Sequence, residues 1–151
     1  MDDKQLVIFR LGQERYGIPI RQVNEIVRMQ KVTHLPGTAA FIEGVTNLRG
    51  KVIPVIDFRK RFGLKAGEED DQTRIIVVNV TESPAGLIVD AVTEVLSLKE
   101  EDIEPLGAAV TGIDAKYITG IGKVGEELVI LMDLDKVFSA SEQEMLLEAI
   151  E

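Results

Sequence analysis

A mainly β protein, built from two small barrels packed on each other, is what this sequence predicts. Three observations carry that reading. Two long blocks of the chain recur in the same order without gaps. The recurring segments are short, rich in β-branched and aliphatic residues, and bounded by glycine, proline and polar turn residues. A polar, glycine-containing stretch separates the two copies.

In the first block, 6-LVIFRLGQERYGIPIRQVNEIVRM-29 aligns with 75-IIVVNVTESPAGLIVDAVTEVLSL-98, so that Gly17 falls on Gly86, Val23 on Val92, Glu25 on Glu94 and Ile26 on Val95. In the second, 41-FIEGVTNLRGKVIPVIDFRKRF-62 aligns with 117-YITGIGKVGEELVILMDLDKVF-138, with Gly44 on Gly120, Asp57 on Asp133 and Phe62 on Phe138. Chance likeness among apolar strands does not produce matched glycines in two ordered blocks. The chain is therefore read as a duplication, with 6–62 assigned to a first barrel, 75–138 to a second, 63–74 to a connector and 139–151 to a C-terminal helix. Copies of about 60 residues are marginal as separate domains, so they are expected to share an apolar core as one unit over 1–151. Whether strands pass between the barrels stays open at this level.

Each copy reads as strand, turn, strand, strand, a short loop, a hairpin and a helical turn. The alternation in 23-VNEIVRM-29 sets Val23, Glu25, Val27 and Met29 on one face and Asn24, Ile26 and Arg28 on the other. In 44-GVTNLRGKVIPVID-57 two apolar runs flank a polar centre, and Gly50 can supply the positive φ of a tight turn. Both faces of 51–57 are apolar, which calls for cover on both sides. Pro54 lacks a ladder donor and points to an edge or a bulge. Asp57 and Asp133 each precede a helical tail, which is N-cap chemistry. Ser141 and Glu144 have the spacing of a capping box for the last helix.

Composition narrows the function. Hydrophobic residues are 45% of the 151, enough for a core, and aromatic residues only 5%, so that core is aliphatic. A net charge of -9 argues against a nucleic-acid backbone or an anionic membrane surface as the main partner. No cysteine is present, which removes disulfides, thiolate metal sites and cysteine nucleophiles. The acidic start MDD is unlike a signal peptide, and no apolar run reaches the ~20 residues of a membrane span, so a cytoplasmic protein is expected.

Catalytic motifs are weak. The GxGxxG at 120-GIGKVG-125 is followed by a strand, EELVILM, where a dinucleotide site needs a helix, so it reads as a hairpin. His34 is the single histidine and reads as a solvated loop residue. Asp57 with Asp133 is better explained as paired caps than as an acid–base couple, and Glu68, Glu69, Asp70 and Asp71 as a solvated loop. An enzyme on this scaffold, or a nucleic-acid-binding barrel, is disfavoured, and no cofactor or metal is expected.

The string FIEGVTNLRGKVIPVIDFRKRF, together with ERYGIPIRQVNEI and GLIVDAVTEVLSL, resembles the bacterial chemotaxis coupling proteins of the CheW family from Leu6 to Phe138. The resemblance implies two five-stranded, SH3-like β-barrels around a shared core. It implies a non-catalytic adaptor joining the cytoplasmic tip of methyl-accepting chemoreceptors to the regulatory domain of the histidine kinase CheA. Such an adaptor sits at receptor arrays beneath the inner membrane; a binding module of another histidine-kinase pathway, for motility or development, is the alternative. Carried onto this chain, the family's hairpin motif is Asn47, Leu48, Arg49 and Gly50. Val23 and Glu25 match its partner-facing strand, and Val92 and Val95 match positions near the groove between barrels. Arg49 then either presents its planar fork to a helical partner lodged in that groove or pairs within the chain, with Glu25 or Glu43.

Overall fold

The computed structural model describes residues 4–61, 70–80, 83–105 and 117–148. The strands in chain order are β1 (Lys4–Leu11), β2 (Glu14–Pro19), β3 (Val23–Arg28), β4 (Gly44–Leu48), β5 (Lys51–Asp57), β6 (Arg74–Val80), β7 (Ser83–Val89), β8 (Ala91–Leu98), β9 (Ile103–Glu104), β10 (Ile118–Val124) and β11 (Glu127–Met132). Three short helices follow strands: α1 (Phe58–Arg61), α2 (Leu134–Val137) and α3 (Ala140–Glu148). One sheet has the order β8-β1-β2-β11-β10-β9 and the other β3-β6-β7-β5-β4. The first sheet thus holds a sixth, two-residue strand beyond the five expected.

Period-two alternation sorts the side chains into three apolar clusters. Leu6 and Ile8 of β1 point into the first sheet with Leu98, Val129 and Leu131. Their repeat equivalents Ile75 and Val77 of β6 point into the second sheet with Ile53, Val55 and Ile88. The intervening residues, Val7, Phe9 and Leu11 in β1 and Ile76, Val78 and Val80 in β6, meet in the largest cluster, which lies between the sheets. Each sheet wraps its own cluster in an SH3-like manner, and the two share the seam.

The strands are exchanged between the copies, which corrects the assignment of one repeat to one barrel. The first sheet takes β1 and β2 from the first copy and β8 to β11 from the second; the other sheet takes β3 to β5 from the first and β6 and β7 from the second. The reason is local. A three-residue 3-10 turn, Ile20–Gln22, joins β2 to β3, and Asp90 alone joins β7 to β8. Such links bend the chain forward into the next sheet instead of folding it back on its own. Each exchange is sealed by a parallel ladder, β2 on β11 and β7 on β5, in which Gly17 lies opposite Leu131 and Gly86 opposite Val55. This explains the matched glycines. A Cβ at Gly17 would stand 3.0 Å from Ile8 Cδ1, and at Gly86 2.8 Å from Ile75 Cγ2.

Other expectations shift by small amounts. β5 is an inner strand between β4 and β7, not an edge. Pro54 is tolerated because the ladder to β7 begins only at Val55. Asp57 and Asp133 do cap: each Oδ1 accepts the backbone N–H two residues on, from Arg59 and Asp135, at 3.0 Å. The capping box lies two residues earlier than the sequence suggested. Ser139 N–H donates to Glu142 at 2.9 Å, and Glu142 N–H to Ser139 Oγ at 3.2 Å. That register lets the Glu142 carboxylate also meet the Arg61 guanidinium, at 2.7 and 2.8 Å. Arg61 in turn lies over the rings of Phe41 and Phe138. Leu146 of α3 is buried in the seam cluster, so the C-terminal helix docks on the body. Most of the connector expected at 63–74, with Phe62, Glu68 and Glu69, falls outside the described residues.

Candidate functional site: the β4–β5 hairpin and the sheet edges

The hairpin tip is a two-residue turn between Leu48 and Lys51. Arg49 has φ 51° and Gly50 φ 88°, the two positive values of a type I′ turn. Glycine accepts that conformation freely, whereas a long side chain adopts it at a cost of about 1–2 kcal/mol. Arg49 is the one non-glycine residue with positive φ among those described. Asn47 Oδ1 accepts the Gly50 N–H at 2.7 Å and braces the turn. Leu48 packs on the core of its own sheet and roots the hairpin.

Arg49 donates to the Glu25 carboxylate on β3, so the pairing within the chain is realised, with Glu25 and not Glu43. Glu43 pairs with Lys60 at 3.0 Å. The Arg49 side chain nonetheless stays 70% exposed. An exposed pair of this kind contributes only about 0–1 kcal/mol, too little to offset the turn strain outright. Its effect is to hold a guanidinium fork in a set direction at the surface.

Six of the eight sequence-selected residues therefore belong to one sheet: Asn47, Leu48, Arg49 and Gly50 on the hairpin and Val23 and Glu25 on the edge strand β3. Val92 and Val95 lie on β8, the edge strand of the other sheet. The seam cluster joins the groups, since Val23 and Val92 both pack against it. Its middle is filled by the protein's own side chains, so the oily groove expected along the whole seam is not open there. Two recesses open elsewhere, one of about 690 Å³ lined by Leu6, Pro19, Ile20, Arg21, Leu131 and Met132, among others, and one of about 700 Å³ lined by Met29, Val32, Asp57, Arg59 and Ile88, among others.

Of a paired apolar surface, sequence reasoning selected Val95 and missed Ile26, Val52 and Leu128 as exposed contacts. Ile26 and Val95, which align in the repeat, are 37% and 55% exposed on the two edge strands. Val52 and Leu128, also aligned, are 47% and 60% exposed beside the two hairpins. The repeat alignment contains this signal, because each pair breaks the burial rule in both copies. The GIGKVG motif forms the β10–β11 hairpin, as expected, with Gly125 at φ 62° in the turn. His34 is exposed, its Nδ1 3.4 Å from the Glu43 carbonyl. Among the described residues no helix is long and apolar enough to cross a membrane.

Comparison with known proteins matches the CheW-like domain over residues 5–142. The chain belongs to the CheW-like family. It is 41% identical over 139 residues to the chemotaxis protein CheW of Klebsiella aerogenes, covering 92% of this chain and 84% of that one. To the chemotaxis protein CheW of Treponema pallidum it is 39% identical over 146 residues, covering 94% and 86%. The crystal structure of the scaffolding protein TtCheW from Thermoanaerobacter tengcongensis superposes with a TM-score of 0.84 at 43% identity, covering 96% of this chain and 99% of that one.

Proposed function

We propose that the chain is a non-catalytic adaptor of bacterial chemotaxis, coupling the cytoplasmic tip of methyl-accepting chemoreceptors to the regulatory domain of a CheA-type histidine kinase at receptor arrays. The observation that carries this reading is Arg49. A residue that strains the backbone, stays exposed and is aimed by Glu25 earns its place through something outside the chain. Exposed Val52 beside it supplies apolar contact, and the fork supplies a charge-assisted bond to a carboxylate or a helix-end carbonyl. Val95 and Leu128 offer a second, related surface on the other sheet, which suits a protein that must hold two partners at once. The population of active kinase then follows from how the adaptor holds it against the receptor.

Titration of labelled protein with the kinase regulatory domain and, separately, with a receptor-tip fragment tests this. Arg49→Glu is expected to weaken binding to at least one of them about tenfold or more, with the thermal midpoint nearly unchanged. Equal loss of folding and binding would mark Arg49 as structural. Absence of binding to either partner by the wild-type chain, with capture of a kinase from a motility or developmental pathway, would overturn the chemotaxis assignment.

A further inference from the structure

Among the described residues the chain passes between the sheets at two places, Ile20–Gln22 and Asp90, which align in the repeat. The aspartate that ends the hairpin strand, Asp57 or Asp133, stands beside each crossing, but the chemistry there differs.

At Asp90 the tie is ionic, buried at Asp57 and Arg59 and partly buried at Asp90. Arg59 donates from Nε to Asp57 Oδ1 at 3.0 Å, from Nη2 to Asp57 Oδ2 at 2.9 Å and from Nη1 to Asp90 Oδ1 at 3.1 Å. Asp90 Oδ2 accepts the Gly12 N–H of the β1–β2 turn at 2.7 Å, and Asp90 N–H donates to the Arg10 carbonyl at 3.0 Å. The side chains of Asp57 and Arg59 are nearly inaccessible to water. The Asp57 carboxylate, and after it Asp90, raise the Arg59 pKa beyond its ordinary value against the opposing effect of burial. Bonds to charged groups in such surroundings are the strong ones, and breaking one strands a buried charge.

At Gln22 the tie is a half-buried side-chain amide. Gln22 Nε2 donates to Asp133 Oδ1 at 3.1 Å, and its Oε1 accepts the Leu134 N–H at 3.3 Å. The position equivalent to Arg59 is Asp135, which is exposed and brings no cation. A recess opens beside each crossing, one of about 690 Å³ with Pro19, Ile20, Arg21 and Asp133 in its wall and one of about 700 Å³ with Asp57 and Arg59 in its wall, so the two sides differ in the tie and not in the space beside it.

We infer that the two sheets form an asymmetric hinge: the Asp57–Arg59–Asp90 clasp is the fixed pivot, and the Gln22–Asp133 crossing is the side that gives, widening or narrowing the recess beside it. Local opening follows the weaker, more solvated contacts. An adaptor with such a hinge can transmit a change at one sheet as a change of angle at the other, without losing either barrel. This goes beyond the proposed partners and does not require them.

The absence of native cysteine makes the test clean. Two double-cysteine variants of the full chain carry spin labels across the two crossings, Asn24 with Thr119 on the Gln22 side and Gln13 with Lys60 on the Asp90 side. Pulsed dipolar spectroscopy on the otherwise wild-type protein is expected to give a broader distance distribution for Asn24 with Thr119. Gln22→Leu broadens that pair further and leaves Gln13 with Lys60 unchanged. Equal widths for the two pairs, a broader Gln13–Lys60 distribution, or a Gln22→Leu effect on both alike would overturn the inference. The wild-type comparison stands even where a variant folds poorly.

Discussion

The two hairpins of the duplication began with the same pattern and now differ at the tip. In β10–β11 the first turn residue is Gly125, at φ 62°, and Glu126 follows with no positive φ. In β4–β5 the equivalent residue is Arg49, at φ 51°, followed by Gly50. One copy has at that place the residue that makes the turn easy; the other has a cation there and its glycine one place on. Their opposite numbers on the edge strands differ accordingly. Glu25 meets Arg49 at the tip, whereas Glu94 lies 3.7 Å from Arg15, which pairs more closely with Glu127 at 2.5 Å. At the feet of the hairpins the contrast returns as Arg59 in one copy and Asp135 in the other. A duplicated scaffold therefore shows which positions carry the fold, where the copies agree, and which carry something else, where one copy departs at a cost.

Substitution can break that contrast, most severely at the feet. Arg59→Met leaves the buried Asp57 and the partly buried Asp90 without their cation and is expected to lower unfolding free energy by about 3–5 kcal/mol in urea titration. Asp135→Ala, at the equivalent exposed site, should stay within about 0.5 kcal/mol. Placing an arginine in the second tip, Gly125→Arg, forces a long side chain into the left-handed backbone. A loss of about 1–2 kcal/mol is expected, and a neutral result would mean that Arg49 is not strained either.

Glu142 joins the copies by a shared carboxylate, and its effect depends on pH. Burial pushes that carboxyl up, but the Ser139 N–H and the Arg61 guanidinium outweigh it, and the net pKa lies below the ordinary 4.5. Its contribution is therefore present above that ordinary value and is lost as pH falls through the lower folded-state one. Glu142→Gln keeps an acceptor for the Ser139 N–H but removes the charge facing Arg61, and should cost about 1 kcal/mol at neutral pH, with the difference from wild type shrinking in acid melts. Arg49→Gly is expected to be the mildest for stability, within about 0.5 kcal/mol, because relief of strain offsets the lost pair. If it also leaves partner binding intact, the tip does not carry recognition.

Much of the fold was legible without coordinates. The repeat, the strand segments, the hairpins and the caps at Asp57 and Asp133 follow from apolar period, turn glycines and short polar caps, which are local signals. Of the candidate site, Glu25 with Arg49 was open as one of two pairings, and the fold settled it by bringing β3 to the hairpin tip while Glu43 pairs with Lys60. Val95 was selected as a partner-facing position, but the exposure of Ile26, Val52 and Leu128 was hidden by hydrophobicity itself, which reads as core until neighbours are known. The capping box slipped by two residues because 139-SASE-142 and 141-SEQE-144 have the same spacing, and only Arg61 distinguishes them.

What the sequence determined by itself was that each copy makes the same strands with one face for its sheet and one for the seam. Tertiary structure alone decided which copy's strands fill which sheet. An apolar alternation specifies faces, not partners, and β5 or β11 presents nearly the same pattern to either neighbour. The lengths of the two crossings, together with glycines at Gly17 and Gly86 that leave room for Ile8 and Ile75 beside the parallel ladders, removed that ambiguity in three dimensions.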